Sequence, residues 1–222
     1  MPSCACACSA PCATCSTAQW LDLRASPVFA AFSTPPPDLS PAWVLLLFGD
    51  CSPTRVIGLL SGAPLTVALL GMEAVGSCCD GVPFPSAVAA VAAPRVRRRV
   101  WLEARGERVG YAVSWWSEAA LDTFLPARDA PIGDALGAKR LELHRELVGV
   151  ARGSGHGALE AGLLGGGAAA GAGGRELWAR WYLMFHGGAP VCLIHEVFSP
   201  ALEQWMGPRR GVGAAPGAES NA

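Results

Sequence analysis

Residues 95–116, RVRRRVWLEARGERVGYAVSWW, hold two apolar-rich runs on either side of Arg105-Gly106-Glu107. Val, Trp and Tyr suit a pleated, half-buried surface, and the glycine between the runs suits a tight reversal. The stretch reads as a β-hairpin. Successive side chains of a strand alternate between faces, so Val96, Arg98, Val100 and Leu102 share one face. Arg97, Arg99 and Glu103 fall on the other with Trp101. Arg98 is therefore the one arginine of the run on the strongly apolar face.

A second hairpin follows the same logic. LWARWYLMFH (177–186) and PVCLIHEVF (190–198) flank His186-Gly187-Gly188-Ala189. Parity on the last strand groups Cys192, Ile194, Glu196 and Phe198. Glu is among the residues least often buried without a partner, so Glu196 in this run asks for a reason. One reading is structural: a buried Arg98–Glu196 salt bridge, or a Glu on a solvated face. The other is a half-apolar pocket with a guanidinium at one end and a carboxylate at the other. Guanidinium suits bidentate capture of a carboxylate. A desolvated carboxyl group is suited to proton transfer or to holding a hydroxyl. A ligand with an acid at one end and a hydroxyl at the other fits that pocket.

Working outward, Ser40-Pro41 caps an apolar helix over 41–49, which ends at Gly49-Asp50. CSPTR (51–55) reads as a polar turn before a second short helix, and PLTVALL (64–70) as a strand. Residues 76–94 read as a covering loop with one helical turn. Downstream lie a helix-prone stretch (117–123), a loop carrying Pro131-Ile132-Gly133, and RLELHRELVGV (140–150). The period of two in that last run favours a strand, with helix left open. GGGAAAGAGG (165–174) reads as a flexible insertion, since a phosphate loop would need a Gly-Lys-Ser or Gly-Lys-Thr end. Six strands, mostly in hairpins, make an α+β fold: an antiparallel sheet with helices packed on one face. The missing βαβ alternation argues against a dinucleotide-binding fold.

The 222 residues are 51% hydrophobic and 16% charged, with a formal net charge of −1. That balance speaks against nucleic acid as a partner. The longest apolar run, from Val56, is broken at Ser61-Gly62-Ala63-Pro64, so no stable membrane insertion is expected. Five of nine cysteines crowd into the first fifteen residues, where residues 1–18 read as a leader or disordered segment suited to organelle transit. A metal or redox role for Cys12 and Cys15 is the lesser alternative. Residues 19–206 form the domain and 207–222 a disordered tail. Arg145 and Glu146 read as structural ion-pair members. Arg180 is a candidate for a second carboxylate, with packing or a surface role weighted above it. His144, His186 and His195 do not have the spacing of a metal triad.

At this point the residues resemble a known family. SPTR (52–55), RRVWL (98–102), GYAVSWW (110–116), PIG (131–133), HREL (144–147), ELWARWYL (176–183) and LIHEVFSPALE (193–203) resemble, in order, the chorismate lyase family, most closely its cyanobacterial and plastid branch. Departures are the Gly/Ala insertion and a weak region at 72–94. The resemblance implies a six-stranded antiparallel sheet with helices on one face. It implies conversion of chorismate to 4-hydroxybenzoate and pyruvate, with no metal or organic cofactor. It places substrate-binding roles on Arg98 (ring carboxylate) and Glu196 (ring hydroxyl), both also catalytic, and main-chain contacts on Ile132 and Pro53. Pro53 has no amide hydrogen, so Ser52 is the alternative for that contact. The product would supply quinone head groups, with hand-over to a prenyltransferase, in the chloroplast or, alternatively, the cytoplasm. A non-catalytic small-molecule sensor of the same fold is the second function to weigh.

Overall fold

The computed structural model describes residues 30–77, 85–133, 143–154, 162–163 and 176–207. In chain order they form β1 (Ala30–Phe32), α1 (Pro41–Phe48), α2 (Pro53–Ser61), β2 (Thr66–Gly76), α3 (Pro85–Ala90), β3 (Arg95–Ala104), β4 (Glu107–Ser117), α4 (Glu118–Phe124), β5 (His144–Ser154), β6 (Glu176–His186) and β7 (Ala189–Phe198). A 3-10 turn (Pro200–Leu202) and a short helix, α5 (Glu203–Met206), close the described chain.

Both hairpins form where the glycines put them. Arg105 and Gly106 take positive φ (54° and 79°), as do Gly187 and Gly188, giving two-residue reversals that match the twist of the flanking strands. The strands join one antiparallel sheet in the order β1-β5-β6-β7-β4-β3-β2. Six are the long strands expected from the sequence. The seventh, β1, is a three-residue edge strand held by pairing with β5. Two strands run past the sequence reading: β2 continues to Gly76, with a bulge between Leu69 and Gly71, and β5 continues to Ser154, while residues 140–142 lie outside the described residues. SPTR is not a free-standing turn, because Pro53 is the first residue of α2.

One face of the sheet carries two separate helical covers. Trp43, Leu46, Leu47, Val56 and Ile57 of α1 and α2 pack on Val100, Leu102, Trp178 and Phe198. Leu121, Phe124 and Leu125, at and after α4, pack on Val96, Trp116, Met184 and Ile194. Ser40 caps α1 as expected, accepting from the Trp43 amide, and ties it to the chain end by donating to the Met206 carbonyl. The opposite face, with Trp101, Tyr111, Val113, Trp115 and Trp181, takes a smaller cover from Val88, Val91 and Leu163. Gly162 lies against Trp101 so closely that a Cβ there would fall 2.6 Å from the indole. The expected leader (1–18), the insertion core (165–174) and the tail beyond Gly207 lie outside the described residues. Among the described residues no helix is long and apolar enough to cross a membrane.

Candidate active site

The gap between the two helical covers is a cavity that opens to solvent. Its floor is the sheet: Arg98 and Val100 of β3, Ala112 and Ser114 of β4, Ile194 and Glu196 of β7, Tyr182 and Met184 of β6. Its walls are Ser52-Pro53-Thr54 at the start of α2, Pro131-Ile132-Gly133, and Arg145 of β5. Arg98, Glu196, Pro53 and Ile132 thus line one space, although they come from four distant parts of the chain.

Arg98 is 2% exposed. Its Nε donates to the Arg128 carbonyl at 2.7 Å and Nη2 to the Ala130 carbonyl at 2.9 Å. Among the described residues it has no ion pair. Burial pulls its pKa down to about 10, so the charge persists at neutral pH. The neighbouring arginines are engaged elsewhere: Arg97 and Arg99 pair with Glu73 on the opposite face, and Arg95 donates to the Val91, Ala89 and Ser77 carbonyls. A buried guanidinium anchored by carbonyls, with no ion pair among the described residues, is an anion site in waiting.

Glu196 does not pair with Arg98. It is 5% exposed, which excludes a solvated face. Its Oε2 accepts from Arg180 Nε at 2.8 Å, directly across from it on β6. Its Oε1 accepts from the Tyr182 hydroxyl at 3.0 Å. Arg180 is therefore neither at the surface nor free for a ligand. It is fully buried, lies 4.9 Å over the Tyr182 ring, and also donates to the Leu46, Gly49 and Cys51 carbonyls around the end of α1. Burial opposes its charge, but the Glu196 carboxylate more than offsets this, and its pKa stands above the ordinary value. Burial, reinforced by the Glu196 charge, raises the Tyr182 hydroxyl well above its ordinary pKa and keeps it a donor. Sequence reading missed Tyr182. Its parity with Arg180 and Met184 was the available signal.

The two walls touch. Ser52 Oγ and Thr54 Oγ1 are hydrogen-bonded at 2.5 Å, and a Cβ on Gly133 would fall 3.0 Å from each. That close approach leaves little room for a side chain at 133, and Ile132 and Pro53 line the same cavity. Arg145, expected in a structural ion pair, makes none among the described residues. Its Nη1 donates to the Asp50 carbonyl at 3.3 Å, and its Nε is buried without a partner. His195 sits on the far face, stacked on Trp181 at 4.5 Å, and burial drives its pKa down to about 3, so it is neutral. Burial likewise raises the Cys192 thiol well above its ordinary pKa, which makes it a poor nucleophile. Among the described residues no cluster of His, Cys, Asp and Glu is arranged to hold a metal ion.

Over residues 47–206 the chain matches the protein family described as chorismate pyruvate-lyase Rv2949c-like. An uncharacterized ycf21 protein of Cyanophora paradoxa is 25% identical over 162 residues, 72% of this chain and 78% of the relative. A second, from Pyropia yezoensis, is 23% identical over 165 residues, 74% of this chain and 84% of the relative. Among solved structures, the effector domain of PhnF from Mycobacterium smegmatis shares the fold, with a TM-score of 0.50 at 11% identity over 70% of this chain and 92% of that one.

Proposed function

The chain belongs to the Rv2949c-like chorismate pyruvate-lyase family, and from that premise we propose that it cleaves chorismate to 4-hydroxybenzoate and pyruvate. The observation that supports this best is the pairing, in one half-apolar cavity, of a buried guanidinium that makes no ion pair among the described residues with a carboxylate–hydroxyl couple. Arg98 takes the ring carboxylate. Glu196 holds the ring hydroxyl: each carboxylate oxygen accepts one side-chain hydrogen bond and has capacity for another. Ile132 and Pro53 line the ring through their main chain. Pro53 can offer only its carbonyl, and Ser52 stands beside it.

The chemistry asks little beyond orientation. The ether bond between the ring and the enolpyruvyl group breaks, and the hydroxyl-bearing ring carbon gives up its hydrogen. The departing enol becomes pyruvate when its methylene carbon takes a proton. Atoms balance without oxidant or reductant, and the ring gains aromaticity. A site that fixes the dianion and excludes water lowers the barrier through positioning and desolvation. No metal or organic cofactor is needed for this step. The product would serve a quinone head-group pathway, with hand-over to a prenyltransferase. The algal ycf21 relatives support a plastid setting.

A non-catalytic ligand sensor is the second reading, because the effector domain of PhnF has the same fold. Purified protein given chorismate without added metal is expected to release pyruvate and 4-hydroxybenzoate in equal amounts. Conversion to anthranilate, prephenate or 3-hydroxybenzoate ends the lyase reading. Binding without turnover selects the sensor.

A further inference from the structure

We infer that Arg145 binds the second carboxylate of a dicarboxylate ligand, which in the lyase reading above, on which this rests, is the enolpyruvyl carboxylate. Chorismate is a dianion, and among the described residues the cavity has two cationic lining residues, Arg98 and Arg145. Arg180 is not among the lining residues, since Glu196 and three main-chain carbonyls hold its guanidinium behind the floor.

Three observations point to Arg145. First, its hydrogen-bonding capacity is largely unused. Of five guanidinium N–H groups, one makes a long bond to the Asp50 carbonyl, and the buried Nε has no partner. Buried donors are normally satisfied, so the unpartnered Nε of a cavity-lining arginine calls for an acceptor. A carboxylate meeting Nε and one Nη side by side would satisfy it. Second, the order across the sheet matches the order of groups in the ligand. Arg98 stands on β3, Glu196 on β7, Tyr182 on β6 and Arg145 on β5. Chorismate has its ring carboxylate at one end, the hydroxyl at the other, and the enolpyruvyl ether next to that hydroxyl. Four strand spacings, roughly 19 Å of backbone, separate the two arginines, which reach in from opposite ends. Third, Arg145, Arg180 and Tyr182 also border an adjoining hollow of about 120 Å³, with Phe48, Gly49, Asp50 and Leu147; Arg180 is committed there to Glu196 and main-chain carbonyls, so Arg145 is the cation with donors to spare. The β5 end of the site therefore has room for the three-carbon side chain.

The test compares two ligands that differ in that carboxylate. 4-Hydroxybenzoate carries only the ring acid. In Arg145→Gln its Kd is expected to stay within about threefold of wild type, while the KM for chorismate (or its Kd, if there is no turnover) rises about 10- to 100-fold. Arg145→Lys is expected to recover part of that loss. A purely structural role would not separate the ligands. Equal weakening of both, or no change for chorismate, overturns the inference. Wild type that binds chorismate without releasing pyruvate ends the lyase reading, yet the Kd comparison still decides Arg145. Wild type that binds neither ligand overturns both.

Discussion

Glu196 serves two demands at once. It neutralises Arg180, which is 1% exposed, and it lines the cavity with its remaining lone pairs. Removing one member of a buried ion pair leaves the other uncompensated, at a cost of about 3–5 kcal/mol. Glu196→Gln should therefore lose both turnover and stability. Arg180→Met should cost more, because the Leu46, Gly49 and Cys51 carbonyls lose their donor as well. The double variant should cost less than the two singles combined, with a coupling of about 1–3 kcal/mol in urea melts, while pyruvate release stays lost. Additive costs would show that the pair is not coupled in solution, and recovered turnover would remove Glu196 from the chemistry. At this scale the sequence was partly legible. Arg98 and Glu196 each stood out as a lone charge among apolar residues of the same parity. Arg145 carried the same signal, sharing parity with Leu143 and Leu147, but was assigned to an ion pair. The Arg180–Glu196 pair was hidden for a physical reason. Counting back from the Gly187-Gly188 turn sets Arg180 opposite His195, and only the shift between Met184 and Phe185 brings it opposite Glu196.

The elements that carry turn glycines were the most legible, because positive φ at a two-residue reversal leaves few residue types that fit. β1 was not legible. Three residues show no period, and its strand geometry comes from pairing with β5. The Gly/Ala-rich stretch from 153 to 175 was legible only as composition. Its first two residues extend β5, and Gly162-Leu163 packs on the sheet, where Ser199 Oγ donates to the Leu163 carbonyl at 3.1 Å. Small residues are needed at 162 because the Trp101 indole lies there, itself set by Tyr111 at 5.3 Å and Arg108 at 4.9 Å. Gly162→Ala forces the indole or the segment to move, an overpacking worth about 1–3 kcal/mol. The denaturation midpoint should fall accordingly. The chorismate KM should stay unchanged, since Trp101 points away from Arg98 across the sheet. A neutral Gly162→Ala would mean that the segment does not rest on Trp101 in solution.

As a whole the molecule is a sheet whose one face is covered twice, leaving the site as the space between the covers. That division could not be read from the chain, because which helix covers which strands depends on register and on bulges rather than on composition. The fold alone does not choose between catalysis and sensing, since the effector domain of PhnF has the same architecture. The layout does dictate how a ligand acts on the structure. Its contacts join residues 52–54, 98, 131–133, 145 and 196, which are distant in sequence, so binding ties both covers to the sheet. A ligand that binds only the folded state at 100 times its Kd adds about 2.7 kcal/mol. For a chain of this size that corresponds to a Tm rise of roughly 5–10 °C. With 4-hydroxybenzoate, amide exchange should slow at 54–56 and 128–133, the walls and the Arg98 anchor. It should stay unchanged at α3, which covers the opposite face. Protection centred on α3 would place the ligand on the wrong side of the sheet, and a Tm unmoved at saturation would mean that the cavity takes no such acid.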